Sequence, residues 1–268
     1  APATYPANEQ EAPELSGERL AEDLQQIVEF SFDSLRRQEL GGDQFWGRVS
    51  GFESGDAVVN WAAGELQEAG IEEIRIQRFQ QSDDASLWVP ERWEVRLLGN
   101  PLFGAGSEDV ILDTSMALAP SDIPGGSVTA PVVYVGKGSA SELMHIDVSG
   151  KIAIQHVTPQ AHLVFERAAA VGRARAIMER GAIAVVTMVD QPNNERVRDF
   201  SNCGGPCFNL GGRDSWFLGQ VLDAAAEAGT FDSLRMQLSL QSQEHSGLDA
   251  INAVAVIPGE NPETIERY

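Results

Sequence analysis

Lysine is almost missing from this chain of 268 residues: Lys137 and Lys151 are its only two, and arginine supplies the rest of the 19 bases. Bases as a whole are scarce beside 40 acids, and the net charge of −21 repels phosphate backbones and anionic lipid surfaces. The charge therefore argues against nucleic acid and against a membrane as partners. Long hydrophobic runs are missing too; none approaches the ~18 apolar residues that a spanning helix needs. An acid-rich, lysine-poor surface suits salty media, which speaks to habitat and not to function. Cysteine is limited to Cys203 and Cys207. Two cysteines fall short of a structural zinc site, which normally takes four Cys and His ligands. Their three intervening residues also depart from the two-residue spacing of a redox pair. In Ser201-Asn202-Cys203-Gly204-Gly205-Pro206-Cys207 the Gly-Gly-Pro run permits a tight turn. A local disulfide is expected, with two free thiols as the other reading. So short a loop would gain rigidity more than the domain gains stability.

What is present is an ordinary globular composition, 43% apolar and 22% charged, long enough for one large domain or two modest ones. Residues 1–15 read as a disordered lead-in, rich in proline and glutamate. The opening Ala1-Pro2-Ala3-Thr4-Tyr5-Pro6 fits a mature end left by signal-peptide removal, hence a secreted or periplasmic protein; a trimmed start is the other reading. An amphipathic helix is expected over 16–38, with Ser16 as N-cap and Leu20, Leu24, Ile27, Val28 and Leu35 at helical spacing. A second helix is expected from about 55 to 69, stopped by Gly70. Residues 71–79 and 93–98 read as strands, with 80–90 a polar loop. After about 106 the texture changes to short apolar runs bounded by glycine at 110–112, 131–135, 151–154 and 183–189, the pattern of buried strands. Helices at 163–180 and from an Asp214 N-cap to Gly229 interrupt them, and strands at 234–240 and 251–257 follow. The order is α/β without strict alternation.

Motif chemistry is thin. His145 and Asp147 have the His-x-Asp spacing of some zinc sites, but they sit in a turn with no further ligand nearby. His156 and His162 flank Thr158-Pro159-Gln160 and read as loop residues, and His245 stands alone. Glu72-Glu73 resembles a catalytic carboxylate pair but follows a helix-to-strand turn, where solvated acids are common. Neither a Gly-x-Ser-x-Gly nucleophile elbow nor a phosphate-binding loop occurs. On these grounds no catalytic and no metal-binding residue is assigned.

Three blocks together resemble the di-zinc peptidases of metallopeptidase family twenty-eight, the aminopeptidase and glutamate carboxypeptidase type. The first is Gly47-Arg48-Val49-Ser50-Gly51, then a helix ending Glu65-Leu66-Gln67-Glu68-Ala69-Gly70-Ile71. The second resembles a protease-associated (PA) domain through Thr129-Ala130-Pro131-Val132-Val133-Tyr134-Val135-Gly136, Asp147-Val148-Ser149-Gly150-Lys151-Ile152-Ala153 and the helix ending Glu179-Arg180-Gly181. The third, Asn252-Ala253-Val254-Ala255-Val256-Ile257-Pro258-Gly259, is similar to the strand by which the chain returns to the peptidase fold. The resemblance spans about 40–268. It implies an α/β chain in which a β-rich PA domain with two helices, 107–245, is inserted into an incomplete zinc-exopeptidase unit, 16–106 with 246–268. The strand at 251–257 is then expected to pair with 74–79 or 92–98 and not with the PA strands. In the family, His-x-Asp and the other ligands follow the turn after Ile-Pro-Gly, beyond the residues present here. The resemblance therefore implies a parent that hydrolyses peptide bonds with two zincs and a bridging water, while this segment lacks the ligands and is expected inactive and free of zinc. Its implied partners are the catalytic half of the same enzyme and a peptide substrate, with a homo-oligomer as another way to cover an open apolar face. A non-catalytic PA-domain module that recognises peptides or proteins is the alternative, and a PA-containing segment of another peptidase class, such as the subtilisin-like enzymes, is a third reading that the Gly-Arg-x-x-Gly helix block disfavours.

Overall fold

The computed structural model describes residues 16–82, 84–100, 107–159, 163–192, 196–197 and 202–257, with only the backbone of 163–168. Its helices are α1 (Gly17–Arg37), α2 (Glu53–Glu68), α3 (Leu163–Glu179) and α4 (Gly212–Glu227). Its strands are β1 (Glu73–Gln80), β2 (Ser86–Leu97), β3 (Val110–Ile111), β4 (Met116–Ala117), β5 (Ser127–Tyr134), β6 (Ile152–Val157), β7 (Ala184–Val189), β8 (Cys207–Leu210), β9 (Arg235–Ser246) and β10 (Asp249–Val256). The fold is mixed α/β, and it divides into two compact units. One holds the described residues up to Ala85 together with those from Ser246 on; the other is Ser86–His245. No helix among the described residues is long and apolar enough to cross a membrane.

In the first unit Ser16 caps α1, its hydroxyl accepting from Arg19 N at 3.2 Å. The helix ends where Gln38 turns left-handed and the N–H groups of Gln38 and Glu39 close back on Leu35 O and Ser34 O. The Gly47–Gly51 block then acts as a brace. Arg48 donates to Ile27 O (2.9 Å) and Ser31 Oγ (2.7 Å) of α1, while Ser54 at the start of α2 donates to Gly47 O (2.9 Å). Gly51 has φ +89°, and a Cβ there would lie 2.8 Å from the Leu248 Cβ. α2 packs on α1, with the Phe30 and Trp61 rings 6.3 Å apart. After Gly70, β1 pairs antiparallel with β10 along its whole length, from Glu73↔Val256 to Gln80↔Asp249. Apolar side chains stay exposed in this unit: Leu20, Leu24, Val28 and Phe32 at four-residue steps along α1, Trp46 stacked on Phe32, and Ile76 and Phe79 on β1.

The second unit is built on one eight-stranded sheet in the order β3-β2-β9-β5-β6-β7-β8-β4. β5, β6, β7 and β8 run parallel, and antiparallel strands flank them. Alternation along the parallel strands sends Ala153, Val185 and Cys207 to a core shared with Ala174 and Ile177 of α3. Register sets Ile154, Val186 and Phe208 side by side on the other face. There α4 packs against β7 and β8, with Leu218, Val221, Leu222 and Ala225 buried.

Several expectations change. A boundary after 106 puts residues 93–98 in the first unit, but β2 lies beside β9 in the larger sheet, and the division falls between Ala85 and Ser86. The polar loop over 80–90 is half strand. β3 pairs with Arg96 and Leu97 of β2, and Pro90 is buried toward the other end of that strand. β8 is hidden behind the Cys-Gly-Gly-Pro-Cys turn. Asp214 is not the N-cap of α4; Gly211 is. Asp214 lies in the first turn, buried, and its Oδ2 accepts from Thr114 N (2.7 Å) and Thr114 Oγ1 (2.8 Å). Residues 258–259 of the third block lie outside the described residues.

Candidate binding groove

The residues singled out in the sequence do not converge. Cys203 and Cys207 are bonded to each other, with Cα atoms 6.0 Å apart. Both are buried in the core beneath α3 beside Leu118 and Val185. Cys207 N donates to Ser121 Oγ (3.1 Å), which ties β8 to the 118–121 turn. His145 is exposed after a short 3-10 turn, Glu142–Met144. Asp147 accepts from Ser149 N (3.0 Å) and Lys151 Nζ (3.3 Å). The Ser149 N–H, and after it Lys151, hold its carboxyl below the ordinary range, so Asp147 is a turn cap. His156 is in β6, not in a loop, and is half-buried. His162 lies outside the described residues. His245 is near the end of β9. Glu72 and Glu73 are exposed and border a hollow of about 520 Å³ with Ile71, Val256 and Ile257 in the first unit. Among the described residues no group of three or more His, Cys, Asp or Glu is placed to hold a metal ion. These donors do not fit a zinc site.

A groove does form in the second unit, at the carboxyl ends of the parallel strands, the position where open α/β sheets bind ligands. Its volume is about 260 Å³. Tyr134 ends β5, His156 and Met188 stand near the ends of β6 and β7, and Asp190 follows β7; α4 supplies the other wall through Trp216, Gly219 and Asp223. Gly219 bares the helix backbone, and an added Cβ there would meet nothing within 4 Å. Trp216 is 69% exposed. Ser215 is spent on structure: its Oγ accepts from Val189 N (3.0 Å) and donates to Leu210 O (3.0 Å). Burial, then the negative charges of Glu142 and Asp223, raise the Tyr134 phenol above its ordinary value and keep it protonated. Glu142 itself accepts from Ser139 Oγ (2.5 Å), Ser139 N (2.8 Å) and Lys137 N (3.1 Å). These bonds hold its carboxyl below the usual range and close the loop after β5. Among the described lining residues the one aliphatic hydroxyl, that of Ser215, is committed to the backbone.

Of these groups the sequence singles out His156 as a candidate and contains Tyr134 only within the PA-like block. The others come from strand ends and a helix far apart in the chain. The one hint in the sequence is Trp216, which falls off the inward stripe of α4, although a single exposed aromatic is ordinary on a protein surface.

No protein-family model matches the chain, and no curated protein sequence matches it. Solved structures do share the fold. An aminopeptidase from a species of Aneurinibacillus is 17% identical and superposes with a TM-score of 0.51 over 91% of this chain and 51% of that one. A peptidase precursor of family twenty-eight from Shewanella amazonensis is 16% identical, TM-score 0.55, over 90% of this chain and 54% of that one. A zinc aminopeptidase from Bacillus subtilis is 16% identical, TM-score 0.50, over 88% and 48%. At these identities the likeness is one of fold, and the chain spans about half the length of the structures it matches.

Proposed function

We propose that this chain is the N-terminal and PA-domain portion of a secreted zinc-dependent exopeptidase that hydrolyses peptide bonds, the metal ligands lying elsewhere in the parent. The observation that carries this reading is the pairing of β10 with β1 around an intervening unit of 160 residues, Ser86–His245. That nested order is the one the family resemblance implies, and the fold shared with peptidases over about nine tenths of this chain supports it. The disulfide fits an oxidising compartment. The exposed row Leu20, Leu24, Val28 and Phe32 is the apolar face that a catalytic half would cover. The alternative, a non-catalytic module that recognises peptides or proteins, draws on the groove of the second unit.

The coding sequence after Tyr268 and the zinc dependence of its product test the reading together. A following valine-rich strand that ends in His-x-Asp, and a longer product that hydrolyses aminoacyl-p-nitroanilides and stops when chelated, are the expected results. The 268-residue chain alone should bind no stoichiometric zinc and cleave no peptide. A stop codon directly after Tyr268, or one to two tightly bound zincs in the present chain, would overturn the proposal.

A further inference from the structure

We propose that the groove between the ends of β5–β7 and α4 binds a basic peptide side chain, its guanidinium or ammonium group packed on Trp216 and Tyr134 with Asp190 and Asp223 as counter-charges. Size is the first argument. A volume of about 260 Å³ lies just under the range of roughly 300–1,000 Å³ that holds drug-sized ligands, so it suits one extended side chain. Lining chemistry is the second. The described residues that border the groove include the carboxylates of Asp190 and Asp223, the rings of Tyr134 and Trp216, the Met188 thioether and the His156 imidazole, with no lysine or arginine among them. A cation over a tryptophan face beside carboxylates is favoured by both the ring quadrupole and the charges. The third is Trp216 itself, 69% exposed on a helix whose packing stripe lies elsewhere; its ring is available for stacking. Burial raises the Tyr134 phenol most, and the charges of Glu142 and Asp223 add to the rise, which agrees with a negative field at that hydroxyl. The site is made wholly of second-unit residues, so it does not rest on the peptidase reading.

The test is binding, not hydrolysis. The 268-residue chain is titrated by calorimetry, at a salt concentration that screens diffuse attraction to its acidic surface. The probes are acetyl-Gly-Arg-Gly amide, its citrulline counterpart, which keeps the shape without the charge, and spermidine as a free amine. The arginine peptide should bind saturably at one site, about tenfold tighter than the citrulline peptide. Trp216→Leu should weaken it roughly two- to fivefold, and Asp223→Asn should weaken it as well, with circular dichroism unchanged in both. Equal binding of the arginine and citrulline peptides, or an undiminished affinity in Trp216→Leu, would overturn the assignment. Saturable binding of spermidine with none of the arginine peptide would overturn the peptide source and leave a free-amine site.

Discussion

Glycine positions separate cleanly by what an added methyl group would meet. Gly51 is held at φ +89°, and its Cβ would press on Leu248; Gly64 lies inside α2 with nothing within 4 Å of the same position. Gly51→Ala is therefore expected to lower stability by about 1 kcal/mol or more, and Gly64→Ala to raise it by about 0.5–1 kcal/mol. Urea midpoints of the two variants check this, and shifts of the same sign would contradict it. Glu142 gives a pH prediction. Its folded carboxyl sits below the ordinary value, held there first by the Ser139 hydroxyl. A depressed carboxyl contributes stability that is complete above the unfolded value of about 4.3 and is lost as pH falls through the lower folded value. The stability difference between the parent and Glu142→Gln should thus be steady near neutrality and shrink toward zero below about pH 4. Acid-range denaturation curves measure it, and a difference that grows with acidity would count against the hydrogen-bonded cap. The group is almost fully solvated, so the effect is small.

Among the elements, the two sheets differ in how their hydrogen bonds are protected. β6 and β7 are flanked by strands on both sides and are almost wholly buried. β1 and β10 form a two-stranded sheet with largely exposed or half-buried side chains, an arrangement that is marginal without packing. Hydrogen exchange should be slowest in β6 and β7 and faster by orders of magnitude in β1 and β10; equal protection would show that the smaller sheet is covered. This contrast also explains what could be read from the sequence. Continuous apolar runs revealed β6 and β7, and helical spacing with Ser16 and Gly70 revealed α1 and α2. β8 was masked because Asn209 and the Cys-Gly-Gly-Pro-Cys turn break the apolar run, although Asn209 is buried and bonded to Val197 O (2.9 Å). β2 was cut short by Pro90 and by Glu91 and Arg92, which follow it. The groove was hardest to read, since it exists only once register lines up Tyr134 with Ile154 and His156 with Met188. No local pattern encodes that alignment.

For the molecule as a whole, the chain leaves and returns at neighbouring points. In the first unit Gln81 N donates to Leu248 O (3.0 Å), so the departing and returning strands stand side by side. In the second, Leu98 N donates to Arg235 O (3.0 Å). The end of β2 thus meets the start of β9; the two run antiparallel, and Ser86 and His245 emerge at one end. An inserted unit with adjacent termini and its own core is expected to fold alone. Residues 86–245 expressed separately should unfold in one cooperative thermal transition and keep the Cys203–Cys207 bond. Aggregation without such a transition would show that the unit depends on the rest of the chain. The same geometry has a mechanical meaning. Ladder bonds between antiparallel strands lie across the strand direction. Tension entering through Ser86 and His245 would therefore load the β2–β9 ladder one rung at a time, opening it like a zip toward Leu98 and Arg235, rather than stressing all rungs together as shear would.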